Sequence, residues 1–503
     1  MSASKENKPL QEQIDSGVMN EKELEEQEKL RQEKQAKRNS ILYAVIAVVF
    51  VIVAIASVIW RSNVIPRKST AVTIDGEKYT AAEVSFYYQN AFQAFVNNYS
   101  YFMSYMGLDA NSPLESQVMT DVTTSMLGLE PGTTWKDYFL DQALTQMAAI
   151  DVTLTKAEND GFVYPAGVQA QFDDSVAMLE DAAAASGMSV EQYLNSTFSM
   201  IMTEEVYYNE LMRMLQFDAC SSAYQDSLTY SVDELEKVYN EDPKSFDKVD
   251  YELVTVPGSA PTTTDADGHT VTASEEEIAA AKEAAKETAE QVLSVYKTGA
   301  DLKSLAEGIE NATYTNNAAV SYSSGFSLSE WLFDDARKPG DVDIVESGSY
   351  YYVVVFHDRY REEYNTVDVR HILVQEETSD TADALLAQWK AGEATEASFA
   401  QLAMENSTDG SKYDGGLYTR IYEGQMVDAF NNWCFNSSRK SGDTEVVQTE
   451  YGYHVMYFVG QNLPRWQADV SAQLQSEAMN AWAQGLATDS TIEVHDFGMK
   501  FVA

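Results

Sequence analysis

A stretch of 26 residues occurs twice in this chain. From Trp331 it reads WLFDDARKPGDVDIVESGSYYYVVVF and from Trp433 WCFNSSRKSGDTEVVQTEYGYHVMYF, with 10 identical positions and no gap. Chance would supply about one or two. Upstream, VDYELVTV at 249–256 lines up with VDVRHILV at 367–374, and KTG at 297–299 with KAG at 390–392. The chain therefore builds one unit twice, over 244–360 and 366–461. Each copy opens and closes with β-branched and aromatic runs that read as strands, with helical periodicity between them. That order predicts an α+β fold, an antiparallel sheet packed with helices.

The copies diverge where polar chemistry would sit. His371 lies in the opening strand of the second copy and His454 in its closing strand, whereas the first copy has Leu253 and Tyr352 there. Two histidines on neighbouring strands would meet. Between them come a helix ending at Gly392, another through Phe399, Leu402 and Ala403, a Gly415-Gly416 turn, and a short helix carrying Met426 and Phe430 on one face.

Residues 366–461 resemble the catalytic domain of parvulin-type peptidyl-prolyl cis/trans isomerases. The carrying motifs are RHILV at 370–374, FAQLA at 399–403, STD at 407–409, Gly415-Gly416, GQMVDAF at 424–430 and TEYGYH at 449–454. The resemblance implies a hydrogen-bonded catalytic set of His371, Asp409, Thr449 and His454, and a proline-ring pocket formed by Met426 and Phe430. Ile421 stands on the pocket wall where the family often has an aromatic. GGLYT at 415–419 replaces the usual GGDLG, and the loop QEETSD at 375–380 offers carboxylates where phosphate recognition needs Arg or Lys. The chemistry suits such a set: turning an Xaa-Pro bond crosses a barrier of roughly 20 kcal/mol without breaking a bond, so a dry ring pocket and polar groups that favour the twisted amide suffice. No cofactor is implied. Two other readings stay open: a holdase or scaffold in which both copies only bind peptide, and a metal site on His371, His454 and Asp409.

Ile41 to Trp60 is twenty residues without a charge, long enough to cross a bilayer as a helix. An uncleaved signal anchor is expected, with a cleaved signal peptide as the alternative. Residues 1–40 read as a charged cytoplasmic tail and 61–70 as a linker. Basic residues nearly balance across the span, but residues 69–503 carry a formal charge of −47, which suits an extracytoplasmic bulk on a cell membrane. That charge repels nucleic acid, or simply maintains solubility. No ATP-binding motif is present. Cys220 and Cys434 are read as buried free thiols.

Residues 71–243 are expected to be mostly helical: a strand AVTIDG, a capping box from Thr80 to Glu83, then one long aromatic helix from Val84 to Met106 and further helices to Leu228. In layout this region resembles the chaperone part of SurA-like, PrsA-like and PpiD-like foldases. Pro464 is read as a break, followed by a helix with Trp466 and Trp482 and a strand TIEV within 462–503, which the resemblance folds back onto the helical domain. His269 and His495 are assigned nothing. The implied partners are unfolded secreted or envelope polypeptides with Xaa-Pro bonds.

Overall fold

The computed structural model describes residues 21–61, 63–260, 263–264, 270–271, 273–488 and 490–502. His269, the first half of the tail and much of the loop after residue 260 lie outside these. The chain divides into two compact units: 1–152, 178–211 and 489–503 form the first, and 153–177 with 212–488 the second.

In the first unit, the charge-free run lies within a single helix, α1 (Glu21–Arg61). Its segment Glu28–Ile55 is long and apolar enough to cross a membrane, and Phe50 is 74% exposed. Strands β1 (Thr70–Ile74) and β2 (Glu77–Thr80) form a hairpin turned at Asp75-Gly76, both at positive φ. The strand Ile492–Val494 adds to the free edge of β1, with Val72 opposite Val494. His495, assigned nothing from the sequence, joins this sheet through its Nε2, 2.7 Å from Thr73 Oγ1.

Thr80 and Glu83 make the expected capping box, and α2 runs from Ala81 to Tyr99. It is shorter than its aromatic stripe suggests. Phe86, Tyr87, Tyr88 and Phe95 are buried, Phe95 against Trp135 and Phe139, whereas Tyr99 and Phe102 are exposed and Met106 sits in a separate short turn closed by Gly107. Periodicity continued past the point where there was a core to face. Helices α3 (Trp135–Asp160), α4 (Ala166–Ala185) and α5 (Glu204–Ser227) follow, each with residues in both units, and a separate short helix lies at Val190–Thr197 in the first.

In the second unit, α6 (Val232–Glu241) leads to two four-stranded antiparallel sheets. The first contains β3 (Lys248–Pro257), β4 (Thr313–Ser321), β5 (Val342–Ser347) and β6 (Tyr350–Tyr360), packed with helices α7 (Glu275–Tyr296) and α8 (Leu302–Glu307). The second contains β7 (Asn365–Val374), β8 (Leu417–Ile421), β9 (Thr444–Thr449) and β10 (Gly452–Pro464). Their orders are the same, β4-β3-β6-β5 and β8-β7-β10-β9. So is their register: Leu253 pairs with Val354 as His371 pairs with Met456.

The repeated residues do repeated work. Arg337 lies over the Trp331 ring at 4.5 Å and Arg439 over Trp433 at 4.1 Å. The Lys-x-Gly-Asp turns close alike, with Asp341 and Asp443 each accepting from the backbone amide of the lysine, Lys338 or Lys440, at 2.9 Å.

Side chains alternate across the second sheet. Ile372, Val374, Val455 and Tyr457 pack under α9 (Asp380–Ala391) and α10 (Glu396–Asn406) with Leu385, Trp389 and Phe399. Val367, Val369, Met456 and Phe458 face α11 (Asp428–Cys434) with Phe430, Trp433 and Cys434. Burial pushes the Cys434 thiol up to about 12, as expected for an inert core cysteine; Cys220 is only half-buried.

Met426 is not on the helix with Phe430. Gly424 at φ +82° turns the chain and Val427 is extended at the cap, so α11 starts at Asp428. Pro464 does mark the break read from the sequence: it is the last residue of β10, and α12 (Arg465–Thr488) begins next. In α12, Trp466 is buried with Leu235, Phe246 and Val470, and Trp482 stacks on Tyr224.

Candidate active site

Alternation puts His371 and His454 on the face that looks toward α11. Their strands are hydrogen-bonded neighbours, and the register offsets the two residues by one diagonal step: His371 opposes Met456, and His454 opposes Leu373. The Nδ1 atoms are 3.1 Å apart. His371 is 1% exposed and His454 6%.

The line of polar contacts extends both ways. His371 Nε2 is 3.4 Å from Asp409 Oδ1 and 3.2 Å from Ser411 Oγ, and His454 Nε2 is 2.8 Å from Thr449 Oγ1. Asp409 caps the 3-10 turn Gly410–Asp414, accepting from Ser411 N at 2.8 Å, and also accepts from the Tyr418 hydroxyl at 3.0 Å. The carboxylate fixes the direction of the chain. It only accepts, so a neutral His371 presents Nε2–H to it and leaves Nδ1 bare. His454 then donates from Nδ1, and its own bare Nε2 accepts from Thr449. No lone pairs are opposed.

The electrostatics agree with neutral imidazole at His454. Burial first, then the neighbouring His371, lowers its pKa to about 4, with Asp409 pulling weakly the other way. The His371 hydrogen bond and those from Ser411 hold the Asp409 carboxyl well below the usual carboxylate range, against the cost of burial. Burial and Asp409 push the Tyr418 hydroxyl up to about 12.

Around the imidazoles lies an aromatic box. Tyr418 and His454 each lie near-parallel to His371, with centroids at 5.0 and 5.3 Å, and Phe430 meets both imidazoles edge-on at 5.5 and 5.4 Å. Met426, half-buried, packs against the cluster that holds Phe430 and Ile421. Ile421 is 1% exposed, so it backs this wall from within and presents no surface to a ligand.

All seven residues expected from the sequence thus gather in one place. Sequence reasoning missed Ser411 and Tyr418. The signal for Tyr418 was the altered GGLYT turn, read only as a departure. The two glycines of that turn are required: at Gly416, φ is +73° and a Cβ would lie 2.2 Å from the His371 carbonyl oxygen, and at Gly415 a Cβ would meet Ala400 Cβ at 2.5 Å. Among the described residues, no group of three or more His, Cys, Asp or Glu is placed to hold a metal ion. In the first copy, Leu253 and Tyr352 occupy the histidine positions and Tyr352 packs on Phe326 and Tyr350.

Residues 358–461 match the family model described as the PPIC-type PPIASE domain. Foldase protein PrsA 1 of Listeria innocua serovar 6a is 31% identical over 144 residues, 27% of this chain and 47% of that protein. Chaperone SurA of Burkholderia lata is 26% identical over 365 residues, 68% of this chain and 74% of that protein. Among solved structures, PrsA from Bacillus subtilis is 26% identical, with 27% of this chain and 49% of that chain covered at a TM-score of 0.19. The chain spans about half the length of the first PrsA relative it matches. The second copy is thus a parvulin-type peptidyl-prolyl isomerase domain, in a chain similar to PrsA foldases and SurA chaperones.

Proposed function

We propose that this chain is a membrane-anchored foldase that isomerises Xaa-Pro bonds in unfolded secreted or envelope polypeptides and holds those chains without ATP. The charge-free part of α1, Ile41 to Trp60, is the anchor, the charged tail of residues 1–40 is cytoplasmic, and the acidic bulk lies on the outer side of the membrane. The observation that carries the catalytic reading is the His371–His454 hydrogen bond, in line with Asp409 and Thr449, beside Met426 and Phe430.

The mechanism follows from what a prolyl bond needs. The planar amide is held by resonance, and twisting it localises the nitrogen lone pair and removes partial double-bond character. A pocket that is dry at the ring and polar at the carbonyl stabilises the twisted form over the planar one. Met426 and Phe430 accept the proline ring. Asp409, kept ionised, and the oriented imidazoles supply a fixed field beside the rotating amide. No bond is broken and no proton leaves the chain. The first copy, with Leu253 and Tyr352 in place of the pair, serves as a binding or spacer module.

A protein whose refolding is limited by prolyl isomerisation tests this. Catalytic amounts of the full chain in detergent should accelerate its slow phase, and Asp409→Ala should abolish the acceleration while suppression of client aggregation persists. An unaccelerated slow phase with aggregation still suppressed would leave only the holdase.

A further inference from the structure

The turn between Asp409 and Gly415 is held from two sides. Asp409 and Ser411 meet His371. The next two residues meet helix α4 instead: Lys412 Nζ lies 2.5 Å from Asp174 Oδ2, and the Tyr413 hydroxyl donates to the same oxygen at 3.1 Å. Two helical turns before Asp174, on the same face, a Cβ at Gly167 would lie 1.9 Å from the Tyr413 carbonyl oxygen. Only glycine lets the turn seat there. All of these residues belong to the second unit. The Lys412 hydrogen bond lowers the Asp174 pKa and Asp174 raises that of Lys412, as a formed ion pair requires.

The turn is short and internally bonded. Gly415 N donates to the Lys412 carbonyl at 2.9 Å and Gly416 N to the Ser411 carbonyl at 2.8 Å. It therefore moves as one body, and a shift on its Tyr413 side carries Asp409 and Ser411 away from His371. We propose that α4 is a positioning element for the isomerase centre, with Asp174 and Gly167 as the positioning residues. This rests on the isomerase reading above. Met426 and Phe430 lie on other elements, so α4 governs turnover and leaves peptide binding alone.

The test uses the full chain in detergent, measuring kcat and KM on an Xaa-Pro peptide together with amide hydrogen exchange at Gly415 and Gly416. Asp174→Asn should lower kcat about threefold at unchanged KM, since a half-exposed ion pair is modest. Gly167→Ala, which displaces the turn, should lower it about tenfold. Asp174→Glu should recover most of the loss, and Gln169→Ala, which removes only the exposed bond to Asp173, should change nothing. Exchange at the two glycine amides should quicken in step with the losses. Unchanged kcat and unchanged exchange in Asp174→Asn, a variant mild enough to fold, overturn the proposal. If the wild-type chain fails to isomerise at all, the isomerase reading falls by itself; exchange that quickens in Asp174→Asn still supports α4 as the clamp on the turn, and exchange that does not overturns it.

Discussion

Asp250 and Asp368 stand at the same position of two sheets and perform the same task. Asp250 accepts from the amide of Ala319 at 2.8 Å, and Asp368 from that of Arg420 at 2.7 Å; both amides belong to residues held at φ +54°. Each carboxylate satisfies a donor that a bulge has turned out of the ladder. This explains why the Val-Asp pair recurs in copies whose chemistry has diverged. Replacing Asp368 with Ala should cost about 1–3 kcal/mol by leaving that donor unpaired, and Asp250→Ala should cost less, about 0.5–1.5 kcal/mol, because water reaches the exposed Ala319 amide. Urea unfolding of each variant checks this; a loss in one sheet only would mean the two bulges are not equivalent.

The two glycines near the site should respond unequally to alanine. Gly416 and Gly424 both have positive φ, but a Cβ at Gly416 would strike the His371 backbone whereas one at Gly424 meets nothing within 4 Å. Gly424→Ala should cost about 1 kcal/mol, the left-handed strain alone. Gly416→Ala should cost at least about 3 kcal/mol and remove isomerase activity, because the strand bearing His371 must move. Equal effects on unfolding midpoints would contradict the contact.

Much of this was legible in advance, for physical reasons that differ from residue to residue. Strand alternation placed His371 and His454 on one face, and the unbroken repeat fixed that the two sheets would share an order. Met426 misled because a four-residue spacing reads as one helical face even when Gly424 has bent the chain before the helix begins. The stripe through Tyr99 and Phe102 misled because periodicity records what a helix can bury, not what it has to bury against. Ser411 left no signal and Tyr418 only its altered turn, since the value of both comes from contacts to Asp409 and His371 across a turn whose path no local pattern specifies.

Tyr418 makes a separable contribution. Tyr418→Phe keeps the stack on His371 and loses the hydrogen bond to Asp409. Activity should fall about three- to tenfold with little change in stability. Tyr418→Leu, the residue usual in the family turn, should lose the stack as well and fall further. Steady-state rates of the two variants decide whether the altered turn supports the centre or is incidental; wild-type activity in both would make it incidental.

Acid should affect stability before it affects activity. The His454 pKa in the folded chain is about 4, below its free value of 6.5, so the unfolded state takes up this proton first. This contribution to stability is full above pH 6.5, declines as pH falls toward 4 and then levels off. Asp409, also depressed, adds a further loss below its free value of 3.8. Activity should hold until His454 itself protonates near pH 4. Unfolding midpoints and kcat/KM measured across this range check the order; coincident declines would mean His454 is not buried neutral.

The most direct test is the cis/trans exchange rate of an Ala-Xaa-Pro peptide, followed by NMR with the full chain and its His454→Ala and Met426→Ala variants. The account predicts exchange well above the spontaneous rate, a large loss of rate in His454→Ala, and weakened peptide binding in Met426→Ala. Exchange no faster than in buffer, or a rate indifferent to His454, would contradict it.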